Sequence, residues 1–259
     1  MLDVAILSSH PPRLITPSQR LLRVWDAESG SCLQGLVGQS NRVKFLHHNP
    51  AVSWEDALSI PVVSISPNGG FVQCDLVDGK VTRQFRLIDS ELKKFHWNAK
   101  LQRALVLTSS NELHLLDCRN DTPVSLAQHR HVEDLDVGED WTHVAILGNK
   151  DASSAAPVLA GRLSMWNAAQ NRLNWSTKTC ASLPIDTQRF RITAIACAPR
   201  QPVVLVALQP LDPAEIEPGK ILTLHTRDGH LAQQRNLETS HRDPVVKIAW
   251  TPDSTYFAA

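Results

Sequence analysis

The chain has 259 residues, of which 42% are hydrophobic and 20% charged, proportions that exclude collagen-like, intrinsically disordered and coiled-coil architectures. Lysine plus arginine and aspartate plus glutamate both number 26, so no overall field draws the chain to nucleic acid, acidic substrates or anionic membrane. The longest apolar stretches, such as PVVLVAL at 202–208, fall far short of the ~20 residues of a membrane-spanning helix.

From the N-terminus, MLDVAILSSHPPR shows no basic region ahead of its short apolar run. A secretory signal is therefore not expected, and the expected location is cytoplasmic. Residues 2–40 then hold four strand-like runs, LDVAILSSHPP, RLITPSQ, RLLRVWDAESG and SCLQGLVGQS. The third ends in Val24-Trp25-Asp26, and a polar turn precedes the fourth. The same pattern of third strand, turn and fourth strand returns as FVQCDLVDGKVTRQFRL, LHLLDCRNDTPVSLAQH, RLSMWNAAQNRLNWST and ILTLHTRDGHLAQQRNL. In each, six positions separate the strand-ending polar residue from the next strand: Asp26 to Cys32, Asp75 to Val81, Asp117 to Pro123, Asn167 to Leu173, and His225 to Leu231.

Successive strand-ending residues lie 49, 42, 50 and 58 positions apart. The shortest interval matches the ~40–45 residues of a four-stranded propeller blade. The longer ones contain the inserts HHNPAVSWEDALS, NKDASSAAPVLAG and QPLDPAEIEPGK. Helix signals are scarce. Only the segments 89–95 and 212–217 suit a turn or two of helix, and neither has an apolar stripe at helical period. The expected fold class is all-β, built of short strands between turn clusters.

The run LLRVWDAESGSCLQGL at 21–36 resembles the third and fourth strands of the WD-repeat β-propellers, and SHRDPVVKIAWTP at 240–252 resembles their inter-blade loop and inner strand. The resemblance spans essentially the whole chain. It implies a propeller with five complete blades, 2–40, 41–90, 91–130, 131–189 and 190–243, and the first two strands of a sixth at 244–259. A piece of a longer six- or seven-bladed ring is thereby expected, with further domains possible in the full chain and with an open strand edge that favours self-association. It also implies a structural hydrogen-bonded network in each blade, formed by a loop His, a second-strand Ser or Thr, a turn Asp and the third-strand Trp. Trp25 and Asp26 match the Trp-Asp pair, Trp166 and Asn167 match it with Asn for Asp, and Asp75 and Asp117 keep only the acid. His129 or His131 stands for the loop His of the fourth blade and His241 for that of the sixth. No Ser or Thr stands on HVAILG of the fourth blade.

Five cysteines, Cys32, Cys74, Cys118, Cys180 and Cys197, form an odd set without a CxxC pair, which reads as reduced, mostly buried thiols. The closest histidine groups, His47 and His48, His129 and His131, His225 and His230, lack companion cysteines at zinc spacing. No phosphate loop or GxSxG elbow is present, since Asn68-Gly69-Gly70 reads as a strand-linking turn. No metal, cofactor or catalytic residue is expected. The recurring Asp at strand ends reads as a turn former that binds nearby backbone N–H groups.

Trp25, Trp97, Trp141, Trp166 and Trp250 are expected to pack between blades. Trp54 lies instead in a polar insert beside Glu55 and Asp56, as an interface anchor does. The inserts of the fourth and fifth blades both fall between second and third strands, which the resemblance places on the face that carries the loops entering each blade, and loop expansion on a rigid scaffold marks a binding face. The partner-binding candidates are therefore His47, His48, Trp54, Glu55, Asp212, Glu215 and Glu217. The resulting expectation is a non-catalytic scaffold for protein or peptide partners. The alternatives are a propeller that binds ligand or substrate in its central channel, and a sensor domain of a larger signalling or defence protein. The innermost runs DVAILS, RVKFL, RITAIACA and VVKIAW are largely apolar and favour the scaffold.

Overall fold

The computed structural model describes residues 5–7, 12–18, 21–37, 42–48, 60–139, 141–148, 163–177, 183–186, 188–212, 218–237, 244–251 and 253–259. Among them, every regular element is a β-strand. The first sheet holds β1 (Ala5–Leu7), β2 (Arg13–Ser18), β3 (Leu21–Asp26) and β4 (Cys32–Val37). The second holds β5 (Phe45–His48), β6 (Pro61–Ile65), β7 (Gly70–Asp75) and β8 (Val81–Arg86). The third holds β9 (Leu92–Asn98), β10 (Arg103–Thr108), β11 (Leu113–Asp117) and β12 (Val124–His129). The fourth holds β13 (Val132–Val137), β14 (Val144–Gly148), β15 (Leu163–Asn167) and β16 (Arg172–Ser176). The fifth holds β17 (Phe190–Cys197), β18 (Val203–Pro210), β19 (Lys220–His225) and β20 (Leu231–Asn236), and a two-stranded sheet holds β21 (Ala249–Trp250) and β22 (Phe257–Ala258). In every sheet, strands pair in chain order.

The chain divides into two compact units, residues 1–110 with 114–128 and residues 111–113 with 129–259. In the first unit, Ile15, Leu22, Val24, Val43, Val62 and Cys74 form one apolar cluster between the first and second sheets. Ile65, Phe71, Phe95, Trp97, Val106 and Leu116 form another between the second and third. In the second unit the largest cluster joins the fourth and fifth sheets through Leu163, Met165, Trp175, Ile195, Val206 and Leu222. A further cluster sets Ala194, Ala196 and Ile221 of the fifth sheet against Ile248, Trp250 and Phe257. The first strands of adjacent sheets approach one another, β1 with β5 and β5 with β9 in the first unit, β13 with β17 in the second.

Sheets covered on both faces need apolar residues at every position of their middle strands. Accordingly β10, RALVLT, and β15, LSMWN, are buried nearly throughout, whereas the last strand of the fifth sheet, β20, is exposed at all six positions. The 89–95 segment, which the sequence allows as a helical turn, is strand from Leu92 onward. Leu92, Phe95 and Trp97 are buried there against the second sheet, and that tertiary burial overrides a local preference.

Candidate interaction surface

Four of the sheets turn from their third to their fourth strand with a shared register shift. The register slips by one residue beside the turn, so that Trp25 pairs with Cys32, Cys74 with Val81, Trp166 with Leu173 and Leu224 with Leu231. In these four sheets the bulge accounts for the six positions from the strand-ending residue to the paired one, whereas strand structure itself begins at Arg172, five after Asn167, in the fourth sheet and at Val124, seven after Asp117, in the third. The turns of 26–31, 75–80 and 225–230 close with a backbone bond from the fifth residue to the first, and Gly30, Gly79 and Gly229 sit there at φ +69°, +73° and +76°. Only a residue without Cβ enters that left-handed region freely, and the fourth sheet puts Asn171 there at φ +51°, the next best choice.

The strand-ending polar residue ties the turn down. Asp26 accepts from the N–H groups of Glu28 (2.9 Å) and Ser29 (2.8 Å), and these donors hold its carboxyl below the usual aspartate range. Asp75 accepts from Val77 N–H at 2.8 Å and from Ile60 N–H at 3.3 Å. Asp117 accepts from Arg119 N–H at 3.1 Å and takes the Arg119 guanidinium in a fork closing to 2.6 Å, and its carboxyl is lowered chiefly by that guanidinium. Asn167 does the same work without charge, accepting from Gln170 N–H at 2.9 Å.

The tryptophans divide. Trp25 is half-buried rather than enclosed: Leu22 and Val24 of β3 join the cluster with the second sheet, Trp25 shares the other face of the strand with exposed Arg23, and its indole N–H donates to Thr16 Oγ1 at 2.8 Å. Trp166 is fully buried, and the His129 ring meets it edge-on at 5.1 Å. The indole Nε1 of Trp166 has no hydrogen-bond acceptor among the described residues. The register supplies the reason. Thr16 lies two residues beyond Leu14, the cross-strand partner of Trp25; two residues beyond Val144, the partner of Trp166, stands Ile146. His129 closes β12 as its last residue, while His131 is exposed at φ +62°. His241 lies outside the described residues.

The partner-binding candidates fall into two groups. His47 and His48 end β5, and Trp54 and Glu55, both outside the described residues, belong to the connection from the first to the second strand of that sheet. Asp212 is exposed just beyond β18, and Glu215 and Glu217, outside the described residues, belong to a connection from second to third strand. The two groups thus occupy opposite kinds of sheet end. The connection across 149–162 is also second-to-third.

Not all innermost strands are apolar. β9 carries Lys93, Lys94 and His96, and β13 carries Glu133, Asp134 and Asp136. Asp136 Oδ2 accepts from Cys197 N–H at 2.6 Å, and the Cys197 thiol donates to the Asp136 carbonyl at 3.4 Å, which pins β13 to β17. Nothing in the local sequence distinguishes Asp136 from its acidic neighbours. Burial first, and the Asp136 charge second, push the Cys197 thiol well above its ordinary value. Cys74 and Cys118 are likewise buried and pushed up to about 11 and about 12, while Cys32 is exposed and Cys180 lies outside the described residues. Among the described residues no three His, Cys, Asp or Glu converge as metal ligands, and no helix is long and apolar enough to cross a membrane.

In the second unit the turn ends of the fourth and fifth sheets border a cleft of about 510 Å³. Its walls include Thr142, Asn167, Arg172, Asn174, Thr226 and Arg227. Trp175 Nε1 donates to the Thr226 carbonyl at 3.0 Å and Asn174 Nδ2 to the same oxygen at 3.4 Å, so the outer strand of one sheet is bolted to the turn of the next. A neighbouring recess of about 470 Å³ shares Thr142 and Thr226 and holds Arg200, with the Glu139 carboxylate 3.7 Å from its guanidinium.

No family model and no curated protein matches the chain. Among solved structures 1347 chains match. One is a chain of the crystal structure of a mitotic checkpoint complex, similar with a TM-score of 0.57 and 17% identity over 97% of this chain and 69% of that one. At this identity the likeness concerns fold alone: the chain has a WD40-like β-propeller fold of four-stranded antiparallel blades.

Proposed function

We propose that the chain is a divergent member of the WD-repeat family and a non-catalytic scaffold that docks protein or peptide partners. The observation that carries this reading is the asymmetry of the fourth and fifth sheets. At one end their strands are joined by tight turns, and at the other end long connections, across 149–162 and 211–219, join second to third strands. Because the cleft shows the tight turns of both sheets side by side, the long connections of both leave from the other, common side. Loops expanded on a rigid frame are where binding is built. Support also comes from the fold neighbour, which is a protein complex, and from β17, whose Ala194, Ala196 and Ile195 serve packing. Asp212, Glu215 and Glu217 then lie on the docking side, and Trp54 with Glu55 marks a second, separate contact.

The test is a variant in which 151–160 and 213–217 are replaced by two-residue Asn-Gly turns, compared with the parent by cross-linking and mass spectrometry in cell extract. Proteins cross-linked to the parent through lysines flanking these segments are expected to disappear from the variant while its thermal midpoint stays unchanged. Retention of the same cross-linked partners by the loop-trimmed chain would overturn the reading.

A further inference from the structure

Three cationic side chains at or beside the hairpins of the first unit carry a carboxylate counter-ion. Arg119, two residues after Asp117, is clasped by that carboxylate at 2.6 Å; Lys80, two after Asp78, is held at 2.8 Å; Arg83 reaches Asp121 at 3.0 Å. The cleft between the fourth and fifth sheets departs from this pattern on both walls. Arg227 occupies the place of Arg119, two residues beyond the strand end, but the strand-ending residue is His225 where the third sheet has Asp117. On the other wall the strand-ending residue is Asn167, which keeps the turn's hydrogen bond to Gln170 without the charge. Arg172, on the same hairpin, is thereby left without the local acid. Both guanidinium groups are exposed and lack a carboxylate partner among the described residues. Asp228, next to Arg227, accepts from His230 N–H at 3.1 Å within its own turn.

We propose that this cleft binds an acidic peptide segment, with a Glu or Asp carboxylate of the partner held between Arg172 and Arg227. The side-chain amides of Asn167 and Asn174 and the hydroxyl of Thr142 then face the peptide's backbone groups. Charge complementarity selects the occupant: two forked donors and no acid among the described lining residues suit a carboxylate. An extended polyphosphate needs a longer basic stripe, and the chain as a whole is neutral, with 26 cationic and 26 anionic side chains. The bonds from Trp175 and Asn174 to the Thr226 carbonyl keep the walls in place before the peptide arrives, so little ordering is charged against binding. The adjoining recess, where Glu139 already faces Arg200, serves as the built-in contrast. This site rests on the scaffold reading only in taking a protein segment as its occupant, since it lies at the end of the sheets opposite the long connections.

The experiment is fluorescence anisotropy of the full chain with a labelled Gly/Ser decapeptide carrying three central Glu, its Gln counterpart, and a labelled single-stranded oligonucleotide. Saturable binding of the Glu peptide is expected, with none of the Gln peptide. Arg172→Gln and Arg227→Gln are each expected to weaken it about tenfold or more, the loss of one charge-assisted contact, and Arg86→Gln in the first unit to leave it unchanged. Binding of the Glu peptide by either arginine variant as tight as by the parent, absence of saturable binding, or tighter binding of the oligonucleotide would overturn the proposal. The loop-trimmed variant separates the two readings: it is expected to bind the Glu peptide as the parent does, whether or not it loses its cross-linked partners.

Discussion

Thr16 gives Trp25 an acceptor that Trp166 lacks among the described residues, and the difference is measurable. Thr16→Val removes the acceptor of a half-buried indole N–H and is expected to cost about 1 kcal/mol in urea unfolding. The converse substitution, Ile146→Thr, places a hydroxyl at the equivalent register position beside the orphaned Nε1 of Trp166. It gives up about 1–2 kcal/mol of apolar burial and regains a similar amount from the new hydrogen bond. A net change under about 1 kcal/mol is therefore expected, against about 2 kcal/mol for Ile195→Thr, which lies in an apolar cluster. If the two threonine variants lose stability equally, Trp166 has its acceptor already. A third residue responds to pH. Asp253 accepts from the Thr251 hydroxyl, the Thr255 hydroxyl and Thr255 N–H, and these bonds lower its carboxyl from 3.8 to about 2. A lowered folded-state value means that its contribution is present above the unfolded value and is lost as pH falls through the folded one. The stability of the parent relative to Asp253→Asn is expected to shrink between about pH 4 and pH 2, and an offset that stays constant across that window would refute the bonds.

Hairpins repeat one backbone solution with different surroundings, and glycine substitution separates conformation from space. Gly30 and Gly229 share the same left-handed φ, but a Cβ on Gly30 meets nothing within 4 Å, whereas one on Gly229 lies 2.4 Å from Leu183 Cδ2. Gly30→Ala is expected to cost about 1–2 kcal/mol, the left-handed penalty alone. Gly229→Ala costs that and the displacement of Leu183 from Trp175, and its thermal midpoint is expected to fall clearly further. Equal losses would mean that Leu183 moves aside freely. The same turns explain why the last strands tolerate exposed Leu33, Val81, Val124 and Leu231: each follows a hairpin that sets its pairing, so burial is not needed to fix register.

Across the molecule, apolar clusters form between neighbouring sheets, so each sheet's stability is shared with the sheets beside it. Leu208→Ala opens a cavity in the cluster of the fourth and fifth sheets, with an expected cost of about 2–5 kcal/mol. Hydrogen exchange in this variant is expected to accelerate first in β13 to β20. Val62→Ala is expected to accelerate exchange first in β2 to β7, around the cluster of the first and second sheets. Uniform acceleration of every strand by either variant would show a single cooperative block instead.

Sequence alone determines what a few consecutive residues decide. The interval from Asp26 to Cys32, repeated from Asp75, Asn167 and His225, is the length of a bulged hairpin, and a left-handed residue at its fifth position is a local requirement that recurs in local sequence. The all-β class and its four-stranded sheets follow from that repetition. What the tertiary structure alone decided is which sheet stands beside which residue. Asp136 and Cys197 are 61 positions apart and meet only because β13 lies against β17. The 89–95 segment is strand because Leu92 and Phe95 meet the second sheet, and on β3 it is Leu22 and Val24, not Trp25, that meet the second sheet. Arg172 and Arg227 face one cleft because Trp175 reaches across to Thr226. Each is a long-range contact, whose energy depends on a neighbour that no window of sequence contains.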